Sequence, residues 1–357
     1  MTAKPVFQPA TCPNLQPRPD WWRVRVDEID AAVRAVSAGE VARVAVTPNG
    51  RNVWAVMYGH QAARHGTGTW AIASNSRNVE AYRTRDPDVQ VAMFVCGVHG
   101  AEPEATAGAM NLVSLMETGR DLRGAERPGL VELIEQYRLI LLPCVNMDGR
   151  ALSGDTLRGA SKEDFVRISQ GVWADGTAVG YPACKQYAPL PLDKVRHPGG
   201  YPNGDGYNIM HDACPGDLRT AEAAGLLKLI ADEQADLIVH MHSHSNGGQV
   251  LHPQMLGYPL HERRVLAYQQ RIHDALEAAH LRPPPPFGPG GHSGINLVTA
   301  SSMASGGLSL TFEQSACAEW TFDEAIEEFY VVVETFLRHG LDEPFSPREA
   351  VARGRTE

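Results

Sequence analysis

Short apolar runs of strand length alternate with stretches of helical spacing along most of this 357-residue chain, and few architectures satisfy that alternation. Strands are predicted at 41–46 and 52–57, joined by the turn Pro48-Asn49-Gly50, and again at 90–96, 139–144, 236–241 and 308–312. Helices are predicted at 27–37, 104–116, 221–231, 261–279 and 322–337. The expected fold class is α/β, with a mixed, largely parallel central sheet and helices on both faces. In such sheets a site lies beyond the carboxyl ends of the strands. Residues 149–206, rich in Gly, Pro, Tyr and Asp, show little periodicity and are too long for a mere connector; such stretches are functional or disordered.

Composition narrows the class further. Lys plus Arg number 32 against 42 Asp plus Glu, a formal charge of −10, so nothing draws this surface to nucleic acid or to an anionic membrane. Cysteines at 12, 96, 144, 184, 214 and 317 stand at least 30 residues apart, which excludes a C-x-x-C knuckle or redox pair. The Pro-rich start lacks the apolar core of a signal peptide, and no apolar run reaches bilayer-spanning length. A cytoplasmic protein is expected, with an irregular extension over 1–24, one catalytic domain over 25–345 and a tail over 346–357. Its oligomeric state is left open.

Three of the apolar runs break off into side chains that bind metals. The first continues into Val98-His99-Gly100-Ala101-Glu102. A His-x-x-Glu pair arises about once by chance in a chain with this many of both residues, but here it sits between a strand, a glycine turn and a helix. The second is Val239-His240-Met241-His242-Ser243-His244, three histidines where a buried strand runs out. One buried imidazole finds a partner easily; three would need three. The third is Leu310-Thr311-Phe312-Glu313, a carboxylate at a strand end. Two His and a Glu holding zinc, with a second Glu as base, form a complete hydrolytic set. No P-loop, Gly-x-Ser-x-Gly elbow or His-Glu-x-x-His helix competes with this reading.

In these segments the chain resembles the zinc carboxypeptidases, the carboxypeptidase A-like metallopeptidases. Their His-x-x-Glu pair matches His99 and Glu102. Their distant third ligand matches His242, which the resemblance favours over His240 and His244. Their catalytic Glu matches Glu313. Thr47-Pro48-Asn49-Gly50-Arg51-Asn52-Val53 is similar to the family's Gly-Arg hairpin, and Asn146-Met147-Asp148-Gly149 to its Asn-Pro-Asp-Gly turn. The resemblance spans roughly residues 25–340 and implies a carboxypeptidase-like fold, one Zn²⁺ and hydrolysis of a peptide-type amide.

The departures from the family concern the substrate. The Asn-Arg pair that clamps a terminal carboxylate aligns with Met210 and His211, and neither offers the fork of a guanidinium. Arg219 or Arg196 are candidate replacements for that charge. Arg158 matches the family's oxyanion-stabilising Arg, and His292 lies near the position of its phenolic acid. Tyr181, Tyr187, Tyr201 and Trp173 are candidates to line the pocket. The expected substrate is therefore a peptide recognised in an altered way. The alternatives are a desuccinylase- or aspartoacylase-type zinc acylase acting on small N-acyl amino acids, and an inactive binding protein on the same scaffold.

Overall fold

A computed structural model describes residues 5–10, 12–61, 73, 75, 89–214, 216–244, 250–252, 259–281, 283, 295–317 and 320–345. A seven-stranded sheet forms from β1 (Glu40–Val46), β2 (Asn52–Tyr58), β3 (Gln90–Cys96), β4 (Tyr137–Leu142), β7 (Leu237–His244), β8 (Val250–His252) and β9 (Leu308–Ser315). Two short strands, β5 (Val172–Trp173) and β6 (Val195–His197), pair separately. The order in the large sheet is β1-β2-β4-β3-β7-β9-β8. Its four central strands, β4-β3-β7-β9, run parallel, and antiparallel strands flank them on both sides. The expected mixed, largely parallel sheet is what the chain adopts.

Period-two alternation divides the core between the two faces. Phe94, Val239, Met241, Leu310 and Phe312 point to one side, where they pack on the helices Pro103–Thr118, Pro259–Ala278 and Phe322–Asp342. Met93, Val95 and Ile238 point to the other, against the helices Ala221–Glu233 and Leu297–Ser305. Chain order reverses at β3: β4 lies on one side of it, and β7 and then β9 on the other. The carboxyl ends of β3 and β7 thus flank a topological switch point, where the polypeptide diverges and leaves a crevice.

Several elements differ from the sequence expectation. β7 runs on to His244, so the three histidines lie within the strand rather than beyond it. The helices Pro128–Ile134, Lys162–Gln170 and Leu297–Ser305 were not anticipated. Leu297–Ser305 carries Ser and Thr on buried positions, so no hydrophobic stripe announces it. Trp22, in the irregular N-terminal stretch, is fully buried and its indole donates to the Asp155 carbonyl, 3.0 Å away. No helix among the described residues is long and apolar enough to cross a membrane.

The helix Ala221–Glu233 starts on a Thr220 cap and buries Glu222 completely, with one carboxylate oxygen accepting from Asn203 and the other unpaired. Burial pushes this carboxyl up to about 7 against the pull of its own backbone amide and Asn203, with Asp148 and Asp205 adding to the rise. A carboxyl raised on folding contributes its full stability below its ordinary pKa, and that contribution is lost as pH climbs through 7. Glu222→Gln escapes the loss. Its stability relative to the parent should grow by about 2–3 kcal/mol between pH 5 and pH 8, read from denaturant midpoints at each pH.

Candidate metal centre and hydrolytic site

β3 ends at Cys96, and the chain turns through Gly97, whose φ of +60° belongs to the left-handed region open to glycine. Three residues on, Gly100 has no room for a side chain: a Cβ there would lie 2.1 Å from the Arg150 backbone nitrogen. This packed turn delivers His99 and Glu102 at the start of the helix Pro103–Thr118, with Pro103 at its first position. His99 Nδ1 lies 2.9 Å from Glu102 Oε1, and His242 Nδ1 lies 2.9 Å from Glu102 Oε2. Donor atoms of the three residues fall within 4.8 Å of one another, and all three side chains are buried.

The neighbours of His99 decide what this triad requires. Asn208 Oδ1 accepts from the Met210 backbone N–H at 3.1 Å and lies 3.3 Å from His99 Nε2. An amide oxygen can only accept, so Nε2 carries the proton and Nδ1 presents a lone pair to Glu102. A lone pair 2.9 Å from a carboxylate oxygen repels it unless a cation or a proton intervenes. Tyr201 stacks on the His99 ring, centroids 3.8 Å apart and planes 12° from parallel, and holds it in that orientation. Burial pushes Glu102 up, but the two facing imidazoles draw it well below the usual carboxylate range. Burial lowers both imidazoles; His99 ends below its ordinary value, whereas Glu102 carries His242 above it. Two nitrogens and a carboxylate, sealed and oriented, suit a borderline cation such as zinc.

β9 supplies the fourth group. His242 and Glu313 are partners in the parallel register of β7 and β9, on the sheet face opposite Met241 and Phe312. Both line a cavity of about 400 Å³ together with His99, Met210 and His211. Burial raises Glu313 to about 7, opposed by His242 and aided by the Glu102 charge. That places a second carboxyl group beside the His99, Glu102 and His242 side chains.

The other expected residues fall in different places. His240, on the same strand face as His242, is fully buried and pairs with Ser301 Oγ at 3.0 Å; burial drops it to about 3, so it stays neutral. His244 is half-buried with its ring 6.0 Å from Phe165. Arg158, expected beside the metal, is instead completely buried, 3.8 Å from Glu104 and donating to the Cys317 carbonyl. It is not among the residues lining the cavity. Arg219 is exposed and forked onto Asp217, and Arg196 reaches the Ala174 carbonyl. Met210 and His211 do line the cavity, and burial with nearby Lys185 lowers His211 to about 4. His292 lies outside the described residues. Of the aromatic candidates, Tyr181 lines the cavity, Tyr201 supports His99, and Trp173 packs edge-on against Tyr187. Asn208 and Lys185 were not singled out from the sequence. Asn208 stood inside the aligned Gly206–Asp212 stretch, whereas nothing local marks Lys185.

A zinc carboxypeptidase family model matches residues 30–172. The match takes in the Gly-Arg hairpin, His99, Glu102 and the Asn146 turn, and the fold brings His242 and Glu313 to the same point. Over residues 30–172 the chain is thus similar to the zinc carboxypeptidases. No curated protein matches it. Among solved structures it is similar to a metallo-carboxypeptidase from Burkholderia cenocepacia at 12% identity and a TM-score of 0.53. That match covers 87% of this chain but 66% of the other. A metallo-carboxypeptidase from Pseudomonas aeruginosa, in complex with (2-guanidinoethylmercapto)succinic acid, matches at 13% identity and a TM-score of 0.54, covering 89% and 69%. Bovine thrombin-activatable fibrinolysis inhibitor matches at 13% and 0.54, covering 90% and 99%. These likenesses speak to the fold alone.

Asn208→Leu keeps the bulk near His99 but removes the acceptor that fixes its tautomer. Such outer partners typically contribute 10- to 100-fold to metal affinity. The variant should lose about that much zinc affinity in a chelator competition while its far-ultraviolet circular dichroism stays unchanged.

Proposed function

We propose that this protein is a zinc-dependent hydrolase of peptide-type amide bonds, with His99, Glu102 and His242 holding one ion and Glu313 acting as general base. The observation that carries the reading is the pairing of two imidazole Nδ1 atoms with the two oxygens of one buried carboxylate, next to a second carboxylate on the adjoining strand. A zinc ion so held supplies Lewis-acid polarisation of a carbonyl and makes water a better nucleophile at neutral pH. Glu313 takes the proton of the attacking water onto its carboxylate and passes it to the leaving nitrogen. Its raised affinity for protons suits both halves of that transfer. Burial of the ligands keeps bulk water from competing for them.

Arg158 has no part in this chemistry as we read it. It braces Glu104, which accepts from Ser243 Oγ at 2.6 Å beside His242. Peptide substrates are favoured over small N-acyl amino acids because the cavity is bordered by the long 149–206 segment, through Tyr181 and Lys185, and adjoins a second cavity.

Two measurements test the assignment. Glu313→Gln should retain zinc yet lose about 10²–10⁴ in turnover, and full activity would remove Glu313 from the role of base. Stripping the protein with a chelator should abolish hydrolysis of a peptide panel, and added zinc should restore it. Activity on N-acyl amino acids alone would favour the acylase reading.

A further inference from the structure

His99 is held from two sides by one turn of the chain. Tyr201 stacks on its ring and Asn208 faces its Nε2, and these two residues bracket the 202–207 segment. Pro202 and Asn208 pair across it as an isolated antiparallel bridge. Asn203 closes the turn from inside. Its Oδ1 accepts from the Asp205 and Tyr207 amides, each at 3.1 Å, and its backbone N–H donates to the Tyr207 carbonyl at 2.8 Å. Gly204 packs so closely that a Cβ there would lie 2.5 Å from the Asp148 carboxylate. The Asn203 side-chain amide then reaches across to the helix Ala221–Glu233 and donates to Glu222 Oε1 at 3.2 Å, with both side chains buried.

Glu222 is a costly anchor. Its second oxygen has no hydrogen-bond partner among the described residues. The charges that act on it are those of Asp148, on the helix Met147–Ala151, and Asp205, in the turn itself. Arg51 is committed to Asp148, 2.7 Å away, and Arg219 is exposed and forked onto Asp217. The other elements packed on this helix bring no charge to balance it. Leu297–Ser305 has no titratable residue, and β1 turns Ala42 and Val44 towards this side. In the 3-10 turn Ile209–His211, the imidazole is neutral at pH 7. Burial, with Asp148 and Asp205 adding to it, holds the Glu222 carboxyl near 7. The turn therefore closes over a neutral acid below that pH and over a buried anion above it.

We propose that Glu222 and Asn203 form a proton-operated latch on the 202–208 turn, holding Tyr201 and Asn208 against His99 while Glu222 is protonated and loosening when it ionises. Both are positioning residues, which act on His99 through the turn. The consequence for catalysis rests on the hydrolase reading; the latch itself does not. Opening returns Glu222 to water and to its ordinary affinity for protons, so opening is favoured as pH rises through 7. A shift of this size makes local opening about 10- to 100-fold more frequent at pH 8 than at pH 5.

Hydrogen exchange of the full chain, read on peptic fragments covering 203–207 and 90–96, tests the latch. In the parent, protection of 203–207 should fall about 10- to 100-fold from pH 5 to pH 8 after correction for the intrinsic rate. The β3 fragment should stay the better protected at both. Glu222→Gln should hold the protection of the turn level. Asn203→Ala should bring it at pH 5 down to the parent's pH 8 value, which keeps the test alive should the Gln variant not fold. Chelator competition with zinc as probe reads the hold on His99. The affinity of the parent relative to Glu222→Gln should drop about tenfold from pH 6 to pH 8, a ratio in which protonation of the ligands cancels. Asn203→Ala should lose a similar factor at pH 6. Turn protection that stays level in the parent, that falls equally in Glu222→Gln, or that survives Asn203→Ala overturns the proposal, and so does an affinity indifferent to both substitutions. Exchange and affinity as expected with no peptide cleaved at either pH would sink the hydrolase reading and leave the latch standing. Cleavage with level turn protection would do the reverse.

Discussion

The site depends on one carboxylate divided between two rings. Glu102 offers one oxygen to His99 and the other to His242, although the two histidines lie in segments separated by more than a hundred residues. Buried charge of this kind is expensive and persists only when its surroundings supply compensating partners. Here the strand order supplies them. β3 and β7 are hydrogen-bonded neighbours, so the turn after β3 and the last residues of β7 meet at the switch point. The Ser243 backbone N–H adds a third contact to Glu102, at 3.2 Å. Fold and site are therefore coupled: slipping β7 by one residue would turn His242 to the opposite face and leave Glu102 without one of its rings.

A second network fixes the outer wall. Asp148, almost completely buried, accepts from Thr47 Oγ1 and from the Arg51 guanidinium, each at 2.7 Å. It also accepts from the Gly204 amide at 3.1 Å. Asn146, two residues earlier, donates to the carbonyls of Gly200, Tyr201 and Pro202. The Gly-Arg hairpin and the Asn146–Gly149 turn look like signatures of chemistry, but they serve as braces. Together they hold the 200–204 segment against the sheet and press Tyr201 onto the His99 ring.

How much of this the sequence discloses depends on the kind of signal. Strands and helices with clean periodicity were legible to within a few residues: 90–96 coincides with β3, and 221–231 falls inside Ala221–Glu233. That His99, Glu102, His242 and Glu313 would converge was legible because all four stand at or just beyond strand ends, and the fold brings them together. Residues that act only through tertiary contact were not. Lys185 reaches the cavity from an irregular segment, and no periodicity places it there. His240 and His242 have like surroundings in sequence; in the fold one pairs with Ser301 and the other with Glu102. Arg158 matched an alignment position but found Glu104 first, a choice that depends on packing and not on spacing.

That last pairing explains a feature that the proposed site alone leaves unaccounted for, namely a second acid two residues after Glu102. Burial raises Glu104 above the ordinary carboxyl range, and the Arg158 charge opposes that rise. Its carboxylate accepts from Ser243 Oγ, while Glu102 takes the backbone N–H of the same serine. Two carboxylates on one helix start thus grip consecutive residues of β7, His242 and Ser243. Removing the guanidinium would leave Glu104 buried without its counter-charge and loosen the strand that carries His242. The position aligned with an oxyanion donor therefore lies against Glu104 in this chain, and through it against Ser243 at the end of β7.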